Sequence, residues 1–315
     1  MRRFIRMLAV LMLTQACTHK DLCYDHPHTI DIDVEFDWSK APDGKPATMS
    51  VYLFPEDGGE AQRYEFIDHT KGKMRVLPGR YKAICLNSDT RNIRFSDRSS
   101  YESCSISTKD TDLLTGLTTL GVRSENAPMA RGTEDERIAM SPDSIWTGRI
   151  DEIVADNLCK KLTFSLEEAF LTIRIVINNI ENIEYLSAAN GSLSSMSGGL
   201  YIGQNVLTEE NVTIPFNLEI NKKENRIKGE LLIFGHCPTE ETNHLLTTYC
   251  IMADGSKFYY TYDVTRHIHE SQDGVITISL DNLPLPTPQP GDNQGGGGFQ
   301  PTVGGWESVD IGITM

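Results

Sequence analysis

The chain has 315 residues, 39% hydrophobic and 23% charged, with a formal net charge of -15. That content can bury real cores, and the roughly 300 residues beyond a leader suit two domains of typical size. The acidic balance argues against nucleic acid or an anionic lipid surface as a partner, and after the first residues no run of about eighteen apolar residues offers a membrane span.

The first seventeen residues read MRRFIRMLAVLMLTQAC. Arg2, Arg3 and Arg6 precede an apolar run from Met7 to Leu13, and Thr14, Gln15 and Ala16 lead to Cys17, the order of an export signal. The apolar run is too short to cross a bilayer. A cysteine at the cleavage position resembles a bacterial lipoprotein signal, whose thiol is acylated with a fatty acid such as palmitate and becomes the first mature residue. Leucine stands at Leu13, one place earlier than the usual lipobox, and the alternative is an ordinary signal cut after Ala16. Residues 18–28 (THKDLCYDHPH) are polar and aperiodic, as expected of a tether.

Strand signals follow. In Thr29–Trp38, Ile30, Ile32, Val34, Phe36 and Trp38 alternate with Asp31, Asp33, Glu35 and Asp37, which predicts a strand with one wet face. The carboxylates do not make a metal loop, because alternate residues on a strand stand about 7 Å apart. Met49–Phe54, Arg63–Ile67, Lys73–Leu77 and Arg80–Leu86 continue at the spacing of a β-sandwich. Patterning weakens over Arg94–Arg137, with a short helix expected at Thr111–Leu120 and a polar loop at Arg131–Arg137. Ser141–Ala155 closes the first domain.

Leu162–Ile177 reads as two strands and a corner that open the second domain. Ala188–Gly199 (AANGSLSSMSGG) is small and glycine-rich, so a loop is expected there. Asn211–Ile220 and Arg226–Phe234 flank a charged turn. Leu246–Met252 and Lys257–Val264 flank Asp254-Gly255, the strongest hairpin signal, and Val275–Leu280 closes the set. Pro284–Gly305 is a proline-rich and then glycine-rich linker. Alternation returns in Trp306–Met315 through Val309, Ile311, Ile313 and Met315. An apolar strand on such a leash is expected to add to a sheet edge, in its own chain or in another.

No catalytic constellation stands out, so no enzyme, cofactor or metal site is expected: GxSxG, GxxxxGK[ST] and HExxH are all absent. His267, His269 and Glu270 are the most metal-like group, two imidazoles on one strand face without an identifiable third ligand, and an exposed loop is the reading preferred. Seven cysteines, six without Cys17, lack CxxC spacing, and disulfides are not expected, although a Cys237–Cys250 bridge stays open.

FDWS (Phe36–Ser39), VYLFP (Val51–Pro55), LPGRYKAICLNSD (Leu77–Asp89), SPDSIW (Ser141–Trp146), LTIRIVINNIENI (Leu171–Ile183) and the terminal W-x-x-V strand, behind a lipoprotein-like leader, resemble the fimbrillin-like lipoproteins of Bacteroidetes, close to the fimbrial anchor (minor fimbrium subunit) group. The resemblance implies an all-β fold of two tandem transthyretin-like Greek-key sandwiches. It also implies a lipid anchor in the outer membrane at the cell surface and assembly with other fimbrial subunits by strand addition, with a role in adhesion or biofilm. The division expected is a signal peptide (1–16), a tether (17–28), sandwiches at 29–155 and 156–283, a linker (284–305) and a C-terminal strand (306–315). The alternative function is a surface glycan-binding lipoprotein of a nutrient-uptake system.

Overall fold

The computed structural model describes residues 28–120, 127–236, 242–270, 274–287 and 305–308. The chain opens with β1 (Ile30–Asp37), β2 (Met49–Pro55), β3 (Gln62–Phe66), β4 (Lys71–Val76) and β5 (Gly79–Asn87). Next come β6 (Ile93–Asp97), β7 (Ser105–Thr108), a 3-10 turn at Thr115–Leu120, β8 (Arg137–Ile138), β9 (Trp146–Ala155), β10 (Lys161–Ser165) and β11 (Glu167–Glu168). Then follow β12 (Leu171–Asn178), β13 (Leu186–Ser197), β14 (Gly199–Tyr201), β15 (Val206–Leu207), β16 (Asn211–Asn221) and β17 (Arg226–Ile233). The described chain ends with β18 (Leu245–Met252), β19 (Lys257–Asp263), a short helix α1 (Thr265–His269), β20 (Val275–Asp281) and β21 (Glu307–Ser308).

Alternation in β1 carries directly into three dimensions. Ile30, Ile32, Val34 and Phe36 are buried, while Asp31, Asp33 and Glu35 face solvent. The acidic face is matched across the ladder. Asp31 meets Arg75 and Asp33 meets Lys73 on antiparallel β4, and Glu35 meets Lys161 on parallel β10. The Arg75 guanidinium, by hydrogen bond and by charge, holds the Asp31 carboxyl below its usual value. These are exposed pairs that tune the register more than the stability.

The chain builds the same seven-strand topology twice. In the first unit one sheet runs β10-β1-β4 and the other contains β9-β5-β2-β3; in the second the corresponding orders are β20-β12-β17 and β19-β18-β13-β16. In both units the opening strand has an antiparallel neighbour on one side and the parallel closing strand on the other. The tandem β-sandwich fold is therefore as the sequence predicts. Ile32, Val51, Cys85 and Phe164 fill the first core, and Ile175, Leu193, Ile214 and Ile278 the second. The two sheets of the second unit join where β16 changes partner, pairing β13 up to Asn217 and β17 from Leu218.

Three expectations are corrected. Lys161–Ser165 pairs with β1, so the chain passes to the second unit between Glu168 and Leu171 and not at 155/156. Alternation at Leu162, Phe164 and Leu166 reveals a strand, but not which core receives it. Ala188–Gly199 is not a loop: most of it belongs to β13, the most buried long strand of the second unit. Its small side chains fit because both faces are covered, one by the second core and the other by Leu113, Leu114 and Leu117. His267 and His269 lie on α1 and not on a strand or an open loop, with Ile268 between them buried in the core.

A further sheet ties the units together. Its order is β15-β14-β7-β6, two strands from each half of the chain. Ile106 and Leu200 from this sheet, with Ile202 and Phe234, pack against Tyr52, Phe54, Ile84 and Leu86 on the outer faces of β2 and β5. The weakly patterned stretch from Arg94 to Arg137 therefore supplies strands, since it contains β7, most of β6 and the start of β8. The linker begins later than Pro284, because Leu283 and Leu285 are buried and the Pro284 carbonyl accepts a hydrogen bond from Tyr260 Oη at 2.8 Å.

Candidate functional site

A strand at a sheet edge carries an unpaired row of backbone N–H and C=O groups, which another strand can satisfy. In the larger sheet of the first unit β9 lies toward one edge and β3 at the other, and in the second unit β19 takes the place of β9. β9 and β19 each receive a two-residue strand from later in the chain. β11 pairs antiparallel with β9 at Trp146 and Thr147, and β21 pairs parallel with β19 at Phe258 and Tyr259. Among the described residues, β19 is paired on its outer edge only over that short stretch.

Trp306 anchors this contact. Its ring meets that of Tyr249 edge to face, with centroids 5.4 Å apart, over a small apolar cluster that includes Leu113, Leu117 and Ala188. Tyr249 is fully buried and donates its Oη hydrogen to the Pro128 carbonyl at 2.7 Å. Burial pushes its phenol up to about 12, so it stays a neutral donor. An edge-to-face pair of this kind contributes about 0.5–1.5 kcal/mol beyond its buried area, enough to hold a short strand end in place.

The platform under Trp306 is itself firmly set. β13 carries a bulge between Leu193 and Met196, where Ser195 adopts φ 61°, a conformation that a serine seldom takes. The Glu136 carboxylate accepts hydrogen bonds from Ser195 N–H at 3.0 Å, Ser195 Oγ at 2.8 Å and Thr213 Oγ1 at 2.6 Å, which holds the bulge. Asn190 Nδ2 donates to the Leu113 carbonyl at 3.1 Å and ties the covering segment to the strand.

Of the predicted site residues, Trp306 is brought to the β19 edge. Cys17, Val309, Ile311, Ile313 and Met315 lie outside the described residues. Cys85, Cys104, Cys159 and Cys250 are free thiols. Burial raises the thiols of Cys104 and Cys250, to about 11 and about 12, so neither is a ready nucleophile. The exposed tyrosines Tyr185 and Tyr201 sit on separate elements, a 3-10 turn and β14, and not as a pair on one face. Sequence reasoning missed Tyr249 and Glu136, because each acts through a contact far away in the chain. The preference for tyrosine in an alternating strand was the one signal available for Tyr249.

The chain is similar to a Bacteroides ovatus protein named "Putative fimbrium anchoring subunit Fim4B", with 25% identity over 98% of this chain and 96% of that one. Among solved structures it is similar to one described as a putative adhesin from Bacteroides ovatus, with a TM-score of 0.62 and 22% identity, covering 87% of this chain and 98% of that one. A second, from Bacteroides thetaiotaomicron and described among putative polysaccharide binding proteins (DUF1812), gives a TM-score of 0.51 at 10% identity, covering 81% of this chain and 90% of that one. Both structures share the fold. The family profile described as "Domain of unknown function (DUF5119)" matches residues 16–217, well over half of the sequence, and the chain belongs to that family.

Proposed function

We propose that this protein is a non-enzymatic anchoring or accessory subunit of a bacterial fimbrium, fixed in the outer membrane through acylated Cys17 and joined to neighbouring subunits by strand addition. The observation that carries the reading is the end-to-end similarity to Fim4B, which spans nearly the whole of both chains. The tandem sandwiches suit a load-bearing role. A parallel closing strand locks each unit, so tension between the termini is shared by ladders of five and seven paired residues.

The β19 edge is the joining surface in this reading. Its main-chain groups give affinity and the ring contact of Trp306 with Tyr249 gives register, as in other recognition by strand addition. The Pro/Gly-rich linker lets the segment beginning at Trp306 leave that edge or reach a neighbour. Adhesion and biofilm formation follow from the polymer that the subunit holds.

Two changes test this. Cys17→Ala is expected to shift the protein from the membrane fraction to the soluble one; retention in the membrane would end the lipid-anchor reading. Deletion of 306–315 is expected to abolish co-purification with fimbrial subunits expressed from the same cells. Undiminished co-purification with an unchanged melting temperature would overturn the terminal strand as the donor.

A further inference from the structure

Three imidazoles meet at one end of the second unit. His236 follows β17, His244 immediately precedes β18, and His269 ends α1. Their ring centroids form a nearly regular triangle, 5.5 Å from His236 to His244 and 5.0 Å for each of the other two sides. One ring nitrogen from each lies within 4.8 Å of the other two, and His244 Nε2 stands 3.0 Å from His269 Nε2. We propose that His236, His244 and His269 form a binding site for one divalent transition-metal ion of the zinc type, with a water in the remaining position.

The spacing fits the ion. Zinc–nitrogen bonds of about 2.0–2.1 Å in a tetrahedron put ligand nitrogens about 3.3 Å apart, so small ring rotations bring the triangle to that geometry. The ligand set is nitrogen alone, which suits zinc, copper, nickel or cobalt and gives calcium and magnesium no oxygen ligands. An ion replaces the contact between the two Nε2 atoms, in which one imidazole must spend its proton on the other.

The site is built in advance by the backbone. His244 N–H donates to Thr265 Oγ1 at 2.8 Å, and the His244 carbonyl accepts from Val264 N–H at 2.9 Å, so the start of β18 is fixed to the start of α1. Ile268, 1% exposed, pins α1 to the core and fixes which side His269 presents. His236 forms a bridge to Met196, and Ser197 N–H donates to the adjacent Gly235 carbonyl at 3.0 Å. Arg266, the nearest cation in sequence, is turned to Glu270 at 2.9 Å.

His244 is the buried member of the three, and its ring lies against both of the others. Its Nδ1 makes no hydrogen bond, so the buried ring has unspent polar capacity. A bound ion would tie the end of β17, the start of β18 and the end of α1 to one another.

The test uses the tag-free full-length protein in detergent, stripped with chelator and titrated with zinc chloride alone. Calorimetry is expected to show one ion per chain at micromolar affinity or tighter. At about one hundred times Kd the melting temperature is expected to rise by about 3–8 °C. His269→Ala, at an exposed helix end, is expected to weaken binding at least about ten-fold while the metal-free protein melts as before, and His236→Ala to do the same. His267→Ala serves as the control that leaves binding unchanged. The proposal is overturned if zinc at about 100 μM gives neither heat nor a melting shift, if His269→Ala binds as tightly as the wild type, or if magnesium binds equally well.

Discussion

β2 and β13 occupy the same place in two copies of one topology, yet their sequences have almost nothing in common. Both are the second strand of their unit, both lie between two other strands, and both are covered on each face. β2 fills its two faces with bulk: Met49, Val51 and Leu53 enter the first core, while Tyr52 and Phe54 meet the sheet that bridges the units. β13 does the opposite on its outer face. Ala188, Asn190 and Ser192 are small, the covering segment comes close enough for the Leu113 carbonyl to accept from Asn190, and Tyr249 of the neighbouring β18 reaches across to Ser192. One solution excludes water with side-chain volume and the other with close approach of backbone. A central strand needs coverage and satisfied polar groups, and hydrophobicity is only one route to them.

Substitutions can break this comparison in order of expected effect. The inner faces should behave alike: Leu53→Ala and Leu193→Ala each remove a fully buried side chain and are expected to cost about 3 kcal/mol in denaturant unfolding. A clearly smaller loss for Leu193 would mean that the β13 face is not a true core. On the outer face Ser192→Leu has no room beside Tyr249 and is expected to cost about 2 kcal/mol, from overpacking. Neutral behaviour there would show that the cover over β13 is loose.

Finer tests follow. Glu136→Gln keeps the shape but removes the charge that accepts three hydrogen bonds at the bulge, and a loss of about 1–2 kcal/mol is expected from melting curves. Tyr52→Phe removes a buried hydroxyl that has no partner, so stability is expected to change by less than about 0.5 kcal/mol or to increase. The smallest effect concerns the wet face of β1. The Asp31 carboxyl titrates lower when folded than when unfolded, so its contribution is complete above the unfolded value and is lost as pH falls through the folded one. Asp31→Asn is expected to lower stability slightly at neutral pH and to leave the acid end unchanged, so that the profile flattens between the two.

How much of this could be read in advance depends on the element. β1, β12 and the Asp254-Gly255 hairpin were legible because one face is wet or because the turn itself needs a special backbone, and Gly255 indeed has φ 86°. β13 was not legible, since a strand of small polar residues has no period to detect. At the candidate joining site, the alternation of the last ten residues predicted a strand in search of an edge. Its place beside Phe258 and Tyr259 needed the fold. The histidine triangle was half visible as His267-Ile268-His269, but the true ligand partners lie 25 and 33 residues before His269 in the sequence.

By itself the sequence determined the class of the molecule: strands with alternating faces, short turns and an acidic balance of charge. Those are local properties, written in the period of neighbouring residues and in the backbone freedom of glycine, asparagine and proline. Tertiary structure alone decided which core each strand enters, where the first unit ends, what covers β13, and which three imidazoles meet. Such outcomes depend on contacts between residues tens of positions apart, and pairing and packing over that distance leave no mark on the pattern of either segment alone.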